Sequence, residues 1–315
     1  MRLAIVIPCY NEREVLPETV QRTTDLIRHL VSAGKVSDAS TVLFVDDGSS
    51  DGTWQLIEQY SKTKPHVSGI KLSRNCGHQN ALVAGLFCAE GDALVSIDAD
   101  LQDDISAIET MVDRFHGGAE IVYGVRNLRT SDSALKRWTA EGFYKLIAAL
   151  GAESVYNHAD FRLLSRRAVE CLKGYKEVNL FLRGIVPLIG LKSEIVYYER
   201  TARFAGTSKY PLKKMIALAL DAITSFSVLP LRLITLTGFV IFLGSIGVTV
   251  WTLWVRFVVD DAVPGWTSIV LPMYLLGGIQ VFCIGMLGEY LGKTYVEVKS
   301  RPRFVVEKIV PASQQ

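Results

Sequence analysis

Two aspartates, Asp98 and Asp100, stand directly after an apolar run of the sequence, residues 94–97. In an extended chain, residues at this spacing point to the same side and lie a few ångströms apart. Two carboxylates so close repel each other unless a cation lies between them. Oxygen ligands of this kind suit Mg²⁺ or Mn²⁺, which keep positions open for water and substrate phosphate. The spacing therefore indicates a divalent metal site, with a solvated acidic turn as the alternative.

The acidic stretch continues to Asp103 and Asp104, just before a helical pattern that begins at Ile105. Carboxylates are favoured at the N-terminal end of a helix, where backbone N–H groups have no partner inside the helix. We therefore expect Asp103 and Asp104 to cap this helix.

Short apolar runs alternate with helical patterns from Met1 to about Arg126, which predicts right-handed crossovers and a mostly parallel α/β sheet. The predicted strands are residues 3–7, 42–45, 67–72, 94–97 and 121–123. The predicted helices are residues 14–31, 53–60, 79–89 and 105–115.

Polar residues follow nearly every predicted strand, at residues 8–12, 46–52, 74–75 and 98–104. Ligands of open α/β sheets bind beyond the carboxyl ends of the strands, so these residues should converge on one crevice. A single Asp-Gly pair such as Asp47-Gly48 is usually only a turn. No Gly-x-Gly-x-x-Gly or Walker loop is present, which argues against a dinucleotide dehydrogenase and leaves phosphate binding to metal and arginine.

The excess of hydrophobic residues lies near the C-terminal end of a chain that is 49% hydrophobic. Residues 233–255 and 269–288 carry no charge, and each is about the length that crosses a hydrocarbon core of roughly 30 Å. Two buried core helices are the alternative. We predict a two-helix transmembrane hairpin over residues 232–292, preceded by an amphipathic interfacial helix over residues 211–231.

Basic residues flank both apolar runs, and the chain opens with a predicted strand rather than a signal peptide. We therefore expect an integral inner (plasma) membrane protein whose catalytic domain, residues 1–210, and both termini are cytoplasmic. The tail, residues 293–315, alternates like β-strands, and pairing with a neighbouring subunit is one option. Two spans cannot enclose a lipid path, so we expect a homo-oligomer. The net charge of +2 is too small to indicate nucleic acid.

Three segments, residues 5–12, 45–52 and 98–103, resemble the signatures of family 2 glycosyltransferases with the GT-A fold. Residues 74–79, 159–164 and 203–210 resemble the polyprenyl-phosphate glycosyltransferases. Among these, the chain is most similar to bactoprenol glucosyltransferases and more distantly to dolichyl-phosphate mannose synthases. One departure is Cys76, where Phe or Leu is commoner.

The resemblance implies a set of nucleoside-binding residues: Pro8, Tyr10, Glu12 and Asp46. Asp46 would reach the uracil ring. Asp98 would face the ribose and the metal, Asp100 would ligate the metal, and Gln102 would support it.

Basic residues surround the start of a further helical pattern, residues 134–150. A solvated helix end is one reading, but guanidinium groups match phosphate oxygens bidentately. The resemblance implies that Arg126 and Arg137 grip phosphate. It also implies a mobile loop over the donor and acceptor phosphates that contains Arg200, Arg203, Ser208 and Lys209.

Asp160 lies with Arg162 in an otherwise apolar run, where a buried salt bridge is the simple reading. A general base is not needed for a phosphate acceptor, which is already an anion near neutral pH. We therefore assign Asp160 to positioning the sugar or the acceptor.

The resemblance implies inverting transfer of a hexose, with glucose as the best assignment, from a UDP-sugar to polyprenyl (undecaprenyl) phosphate. The alternatives are another donor, such as GDP-mannose or a modified UDP-pentose, or a membrane scaffold without activity. A processive polysaccharide synthase would require a Gln-x-x-Arg-Trp motif, but Ala134 stands where the Gln should be.

Overall fold

The computed structural model describes residues 1–126, 158–177, 182–199, 229–254 and 266–313. The strands in this part are β1 (Leu3–Cys9), β2 (Thr41–Asp46), β3 (Val67–Leu72), β4 (Ala93–Ser96), β5 (Ile121–Arg126), β6 (His158–Ser165), β7 (Ser193–Tyr198) and β8 (Val306–Val310). The helices are α1 (Leu16–Ser32), α2 (Thr53–Thr63), α3 (His78–Cys88), α4 (Ala107–His116), α5 (Arg166–Lys173), α6 (Leu182–Leu188), α7 (Leu229–Trp254) and α8 (Trp266–Val298).

The strands form one mixed sheet in the order β7-β5-β6-β4-β1-β2-β3-β8. Pairing is parallel between β1 and β2, β1 and β4, β2 and β3, and β5 and β7. Strand β6 runs antiparallel between β4 and β5. The predicted mostly parallel α/β sheet is therefore confirmed. Because β6 runs in reverse, its first residues lie beside the last residues of β4 and β5.

β1 is buried along its whole length because helices cover both faces of the sheet centre. Ile5 and Ile7 join a buried cluster with Leu16 of α1 on one face. On the other face, α3 packs so closely that a Cβ on Gly85 would lie 2.3 Å from Val6. A helix at this distance requires glycine, so Gly85 sets how closely α3 approaches the central strands.

The C-terminal strand corrects one expectation about the tail. Helix α8 continues to Val298, so the alternating pattern after Tyr295 is partly helical and the strand begins only at Val306. Strand β8 pairs antiparallel with β3 of the same chain, with Gly69 opposite Val310. The tail thus completes its own sheet rather than that of a neighbouring subunit.

The chain divides into two compact units, the first containing the eight described strands and α1 to α6, and the second α7 and α8. Side chains are described for only part of α7 and α8. Within the described part, no helix is both long enough and apolar enough to cross a membrane. The transmembrane hairpin is not confirmed and stays a prediction. The predicted helices over residues 134–150 and 211–231 lie outside the described residues.

Candidate active site

The carboxyl ends of β1 and β2 bring the predicted nucleoside residues together. Pro8 pairs with Val45 across the two strands, and Asp46 ends β2 with no exposed surface. The Ser49 backbone N–H donates to both carboxylate oxygens of Asp46 at 3.4 Å. Burial raises the pKa of Asp46. Tyr10 follows β1 and keeps 48% of its surface exposed, as a side chain open to a ligand does.

The loops after β1 and β2 are tied to each other by hydrogen bonds, and we call them the paired loops (residues 10–13 and 46–53). The Asn11 N–H donates to Ser49 Oγ at 3.0 Å, and the Ser50 N–H donates to Asn11 Oδ1 at 2.9 Å. The Glu12 N–H donates to Thr53 Oγ1 at 3.0 Å. Asn11 has a φ of +55°, which asparagine tolerates better than most residues. These bonds position Tyr10 and Glu12 before any ligand binds.

Asp47-Gly48 is more than a turn, because it connects the paired loops to α3. The Asp47 carboxylate accepts the backbone N–H groups of Cys76 at 2.7 Å and Gly77 at 2.9 Å. A Cβ on Gly48, whose φ is +70°, would lie 2.6 Å from the Asn75 nitrogen. The start of α3 is therefore fixed against the end of β2.

Asp98 lies in a dense group of ionisable side chains beyond β4. Its Oδ1 lies 3.4 Å from His78 Nε2. Although 36% of its side-chain surface is accessible, desolvation by the surrounding protein raises the pKa of Asp98 to about 6. The nearby carboxylates Asp160, Asp103 and Asp100 act in the same direction, and His78 opposes them. A cation at this place would relieve that repulsion.

Asp100 and Gln102 follow in a tight turn, in which Leu101 has a φ of +54°. The Gln102 N–H donates to Asp100 Oδ1 at 3.2 Å. Among the residues that the structure describes, no three His, Cys, Asp or Glu side chains are grouped to hold a metal ion. Mg²⁺ often takes only one or two protein carboxylates together with substrate phosphate. Asp98, Asp100 and the Gln102 amide are oxygen donors that fit such a site.

Asp103 does not cap α4, which corrects a second expectation. It is 4% exposed, and it accepts the Tyr198 hydroxyl at 2.6 Å and Arg126 Nη2 at 3.3 Å. Arg126 Nε also donates to the Tyr198 oxygen at 3.1 Å. Asp104 accepts the Ser106 N–H at 2.9 Å, which closes the turn just before α4 rather than capping an N–H group of the helix itself.

Burial and the Asp103 carboxylate both raise the pKa of Tyr198, so its hydroxyl keeps the proton that it donates. Burial acts to lower the pKa of Arg126, but Asp103 and Tyr198 outweigh it and raise that pKa. Arg126 is therefore a held cation at the end of β5, with 26% of its side chain accessible.

Asp160 forms the centre of a second cluster, which we call the charged corner (Gln79, His78, Asp160, Arg162 and Arg183). Its carboxylate accepts Arg162 Nη2 at 2.6 Å and Gln79 Nε2 at 3.1 Å. Arg183 lies 3.5 Å away through Nε and Nη2, and His78 Nε2 lies 3.8 Å away. Burial acts to raise the pKa of Asp160, but Arg162 and Arg183 outweigh it and lower that pKa to about 2.

The buried salt bridge between Asp160 and Arg162, one of the interpretations of the sequence, is thus present. It does not remove Asp160 from the crevice, because His78 reaches both Asp160 and Asp98. Strand β6 explains this proximity. Ser96 at the end of β4 pairs with Arg162, so Asp160 lies beside the residues that follow β4.

Sequence reasoning gave no role to four residues of this crevice: His78, Gln79, Arg183 and Tyr198. His78 and Gln79 belong to the polar segment after β3, which could have indicated them. Arg183 is the single charge within the apolar stretch 180–186. Five predicted site residues lie outside the described part of the chain: Arg137, Arg200, Arg203, Ser208 and Lys209.

Comparison with known proteins gives two family matches. Glycosyl transferase family 2 matches residues 4–173, and the GtrB C-terminal hairpin matches residues 229–294.

Relatives match along nearly the whole chain. An uncharacterised glycosyltransferase of Bacillus subtilis, YkoT, is 48% identical over 97% of this chain and 91% of its own length. The bactoprenol glucosyl transferase of Shigella phage SfII is 38% identical over 98% of both chains. A prophage bactoprenol glucosyl transferase homolog of Escherichia coli K12 is 38% identical over 98% of this chain and 99% of its own.

Solved structures are more distant. Glucosyl-3-phosphoglycerate synthase of Mycobacterium tuberculosis, in complex with Mn²⁺, UDP and glucosyl-3-phosphoglycerate, has a TM-score of 0.44 at 17% identity. That match covers 71% of this chain and 77% of the synthase chain, and a likeness this low says nothing about ligands here. The family model and the relatives show that the chain belongs to glycosyl transferase family 2 and is a glycosyltransferase with the GT-A architecture.

Proposed function

We propose that this enzyme transfers a hexose, best assigned as glucose, from a UDP-sugar to polyprenyl phosphate. The products are a polyprenyl-monophosphate sugar and UDP. The observation that carries the proposal is the match to bactoprenol glucosyl transferases over 98% of the chain. That match includes the C-terminal hairpin, which lies beyond the family 2 domain.

The paired loops support a nucleotide donor. Asp46 is a buried carboxylate at the carboxyl edge of the sheet, and Tyr10 beside it is open to a ligand. A carboxylate is an acceptor that suits the ring N–H of uracil. Asp98, Asp100 and Gln102 would hold Mg²⁺ or Mn²⁺, and that ion, when bound, neutralises charge on the diphosphate.

The charged corner supports an acceptor that needs no base. A phosphate oxygen of the acceptor attacks C1 of the sugar, and the bond from C1 to the diphosphate breaks on the opposite face. UDP leaves with that bond's electron pair. Because the attack and the departure take place on opposite faces of C1, the configuration at C1 is inverted. Asp160, whose pKa lies near 2, is suited to orienting groups rather than to taking a proton. Arg126, held by Asp103 and Tyr198, is suited to stabilising phosphate charge.

We further propose that the reaction occurs at the cytoplasmic face of the plasma membrane, with residues 232–292 as the anchor and with self-association. Two uncharged runs of the sequence and the hairpin family match support the anchor. The acceptor's isoprenoid chain is apolar, so an enzyme that uses it must work at a bilayer surface.

The test is incubation of the purified full-length protein with undecaprenyl phosphate and a panel of UDP- and GDP-sugars, followed by mass spectrometry of the lipid. We expect one hexose on the lipid phosphate from UDP-glucose, with a β linkage by NMR. Transfer from GDP-mannose alone would move the assignment to another donor. Absence of transfer to the lipid phosphate from every donor would overturn the proposal.

A further inference from the structure

Arg183 is a cation that its neighbours hold only loosely. It lies near the start of α6, and 39% of its side chain is accessible. Its Nε and Nη2 both lie 3.5 Å from the oxygens of Asp160. Ordinary N–H···O hydrogen bonds measure about 2.7–3.2 Å, so both contacts are long.

Asp160 already has stronger donors than Arg183. Arg162 approaches at 2.6 Å, and Gln79 approaches at 3.1 Å. Arg162 is 1% exposed, and among the described residues its Nε has no hydrogen-bond partner. A guanidinium buried in this way needs the carboxylate to balance its charge. The one carboxylate of the charged corner therefore pairs with Arg162, and Arg183 is the surplus cation.

The sheet order places Arg183 away from the nucleoside residues. Along the carboxyl edge, the strands follow the order β2, β1, β4 and β6. The nucleoside residues end β2 and β1, the predicted metal ligands follow β4, and Asp160 begins β6. His78 connects the last two places, at 3.4 Å from Asp98 and 3.8 Å from Asp160. An anion bound at Arg183 would thus lie beyond the donor diphosphate, on the side where the sugar is handed over.

We propose that Arg183 binds the phosphate group of the lipid acceptor, an inference that rests on the proposed function. The planar guanidinium offers two parallel N–H groups to two phosphate oxygens. When Arg183 turns toward the phosphate, it loses only its two long contacts with Asp160. Asp160 keeps its hydrogen bonds from Arg162 and Gln79. Bound in this way, the phosphate presents its remaining oxygen toward C1 of the sugar.

The experiment compares Arg183→Gln and Arg183→Lys with wild type in the full-length protein. We expect Arg183→Gln to raise the KM for undecaprenyl phosphate by about tenfold to a hundredfold, the range of a lost charge-assisted contact. The KM for UDP-glucose should stay unchanged. Arg183→Lys should fall between the two, because it keeps the charge and loses the fork. Arg167→Gln is the matched control, since Arg167 pairs with Glu120 at 2.8 Å and is 70% accessible.

A second measurement is equilibrium binding of undecaprenyl phosphate, undecaprenol and UDP to the same proteins. Arg183→Gln should weaken binding of undecaprenyl phosphate and leave binding of undecaprenol and of UDP unchanged. Unchanged lipid phosphate binding, or weaker UDP binding, would overturn the proposal and in the second case give Arg183 to the donor. If wild type transfers no sugar to the lipid, the proposed function fails. The comparison of lipid phosphate binding still decides the role of Arg183.

Discussion

The paired loops and the charged corner lie at the same edge of the sheet but are built differently. The paired loops are joined mainly by backbone N–H groups and short polar side chains, such as Asn11 with Ser49. The charged corner is joined by long charged side chains from α3, β6 and α6. A backbone framework gives the nucleotide a rigid seat. A cluster of charges lets one cation exchange partners, which suits a ligand that carries its own negative charge.

The largest effect should come from the acidic turn after β4 (residues 98–104), which lies between these two regions along the sheet edge. Asp100→Ala should lower turnover by about a thousandfold or more, because it removes a metal ligand rather than core volume. The unfolding temperature should stay close to that of wild type. Turnover measured with and without EDTA checks the metal role, and near-normal rates in EDTA would contradict it.

Loss of a carboxylate should lower the free energy of unfolding more in the charged corner than in the acidic turn. Asp160→Asn leaves the buried Arg162 without its counter-charge and should cost about 3–5 kcal/mol in the free energy of unfolding. Asp98→Asn is the matched control. The pKa of Asp98 is raised to about 6, so its charged form is disfavoured in the folded protein, and a neutral replacement at neutral pH should leave the free energy of unfolding unchanged or raise it. Equal losses in chemical denaturation would show that Arg162 does not depend on Asp160.

Acid should weaken the charged corner selectively. The pKa of Asp160 is about 2 in the folded protein, below the value of about 3.9 for an unfolded aspartate. The pH-dependent part of its contribution to stability, on the order of 2 kcal/mol, is fully present above that unfolded value and is lost as the pH falls through the folded one. The difference in unfolding free energy between wild type and Asp160→Asn should therefore shrink from about pH 5 to about pH 3. A constant difference would contradict this.

The smallest effect concerns how Arg126 is held. Arg126→Ala should lower kcat/KM by about tenfold to a hundredfold, a loss of about 1.5–3 kcal/mol in transition-state stabilisation, if its contacts to phosphate are charge-assisted. Tyr198→Phe removes one hydroxyl and keeps Arg126 beside Asp103. It should therefore cost only about 1 kcal/mol of transition-state stabilisation, measured in the same way from kcat/KM. If Tyr198→Phe cost as much as Arg126→Ala, the hydroxyl would itself be essential rather than supporting.

Local patterns in the sequence predicted much of this molecule correctly. The five predicted strands and four predicted helices of the first 126 residues end within three residues of the observed bounds. Periodicity and strand ends are properties of neighbouring residues, so Asp46, Asp98 and Asp100 could be assigned to one edge of the sheet without coordinates.

Partners that are distant in sequence could not be assigned in this way. Asp103 was predicted to cap a helix. Its partner Tyr198 ends β7, which β5 and β6 separate from β4 in the sheet. Pairing of the tail with a neighbouring subunit was one option from the sequence, whereas β8 pairs with β3 of its own chain.

The sequence by itself determined the family, the alternation of strands and helices, and the acids that end the strands. The tertiary structure alone decided that β6 enters in reverse between β4 and β5. That insertion brings Asp160 and Arg162 to the acids that follow β4, and Arg183 of α6 contacts Asp160 there. The physical reason is that pairing of strands is a long-range choice, made by the whole sheet and its burial, while the pattern of each strand is local.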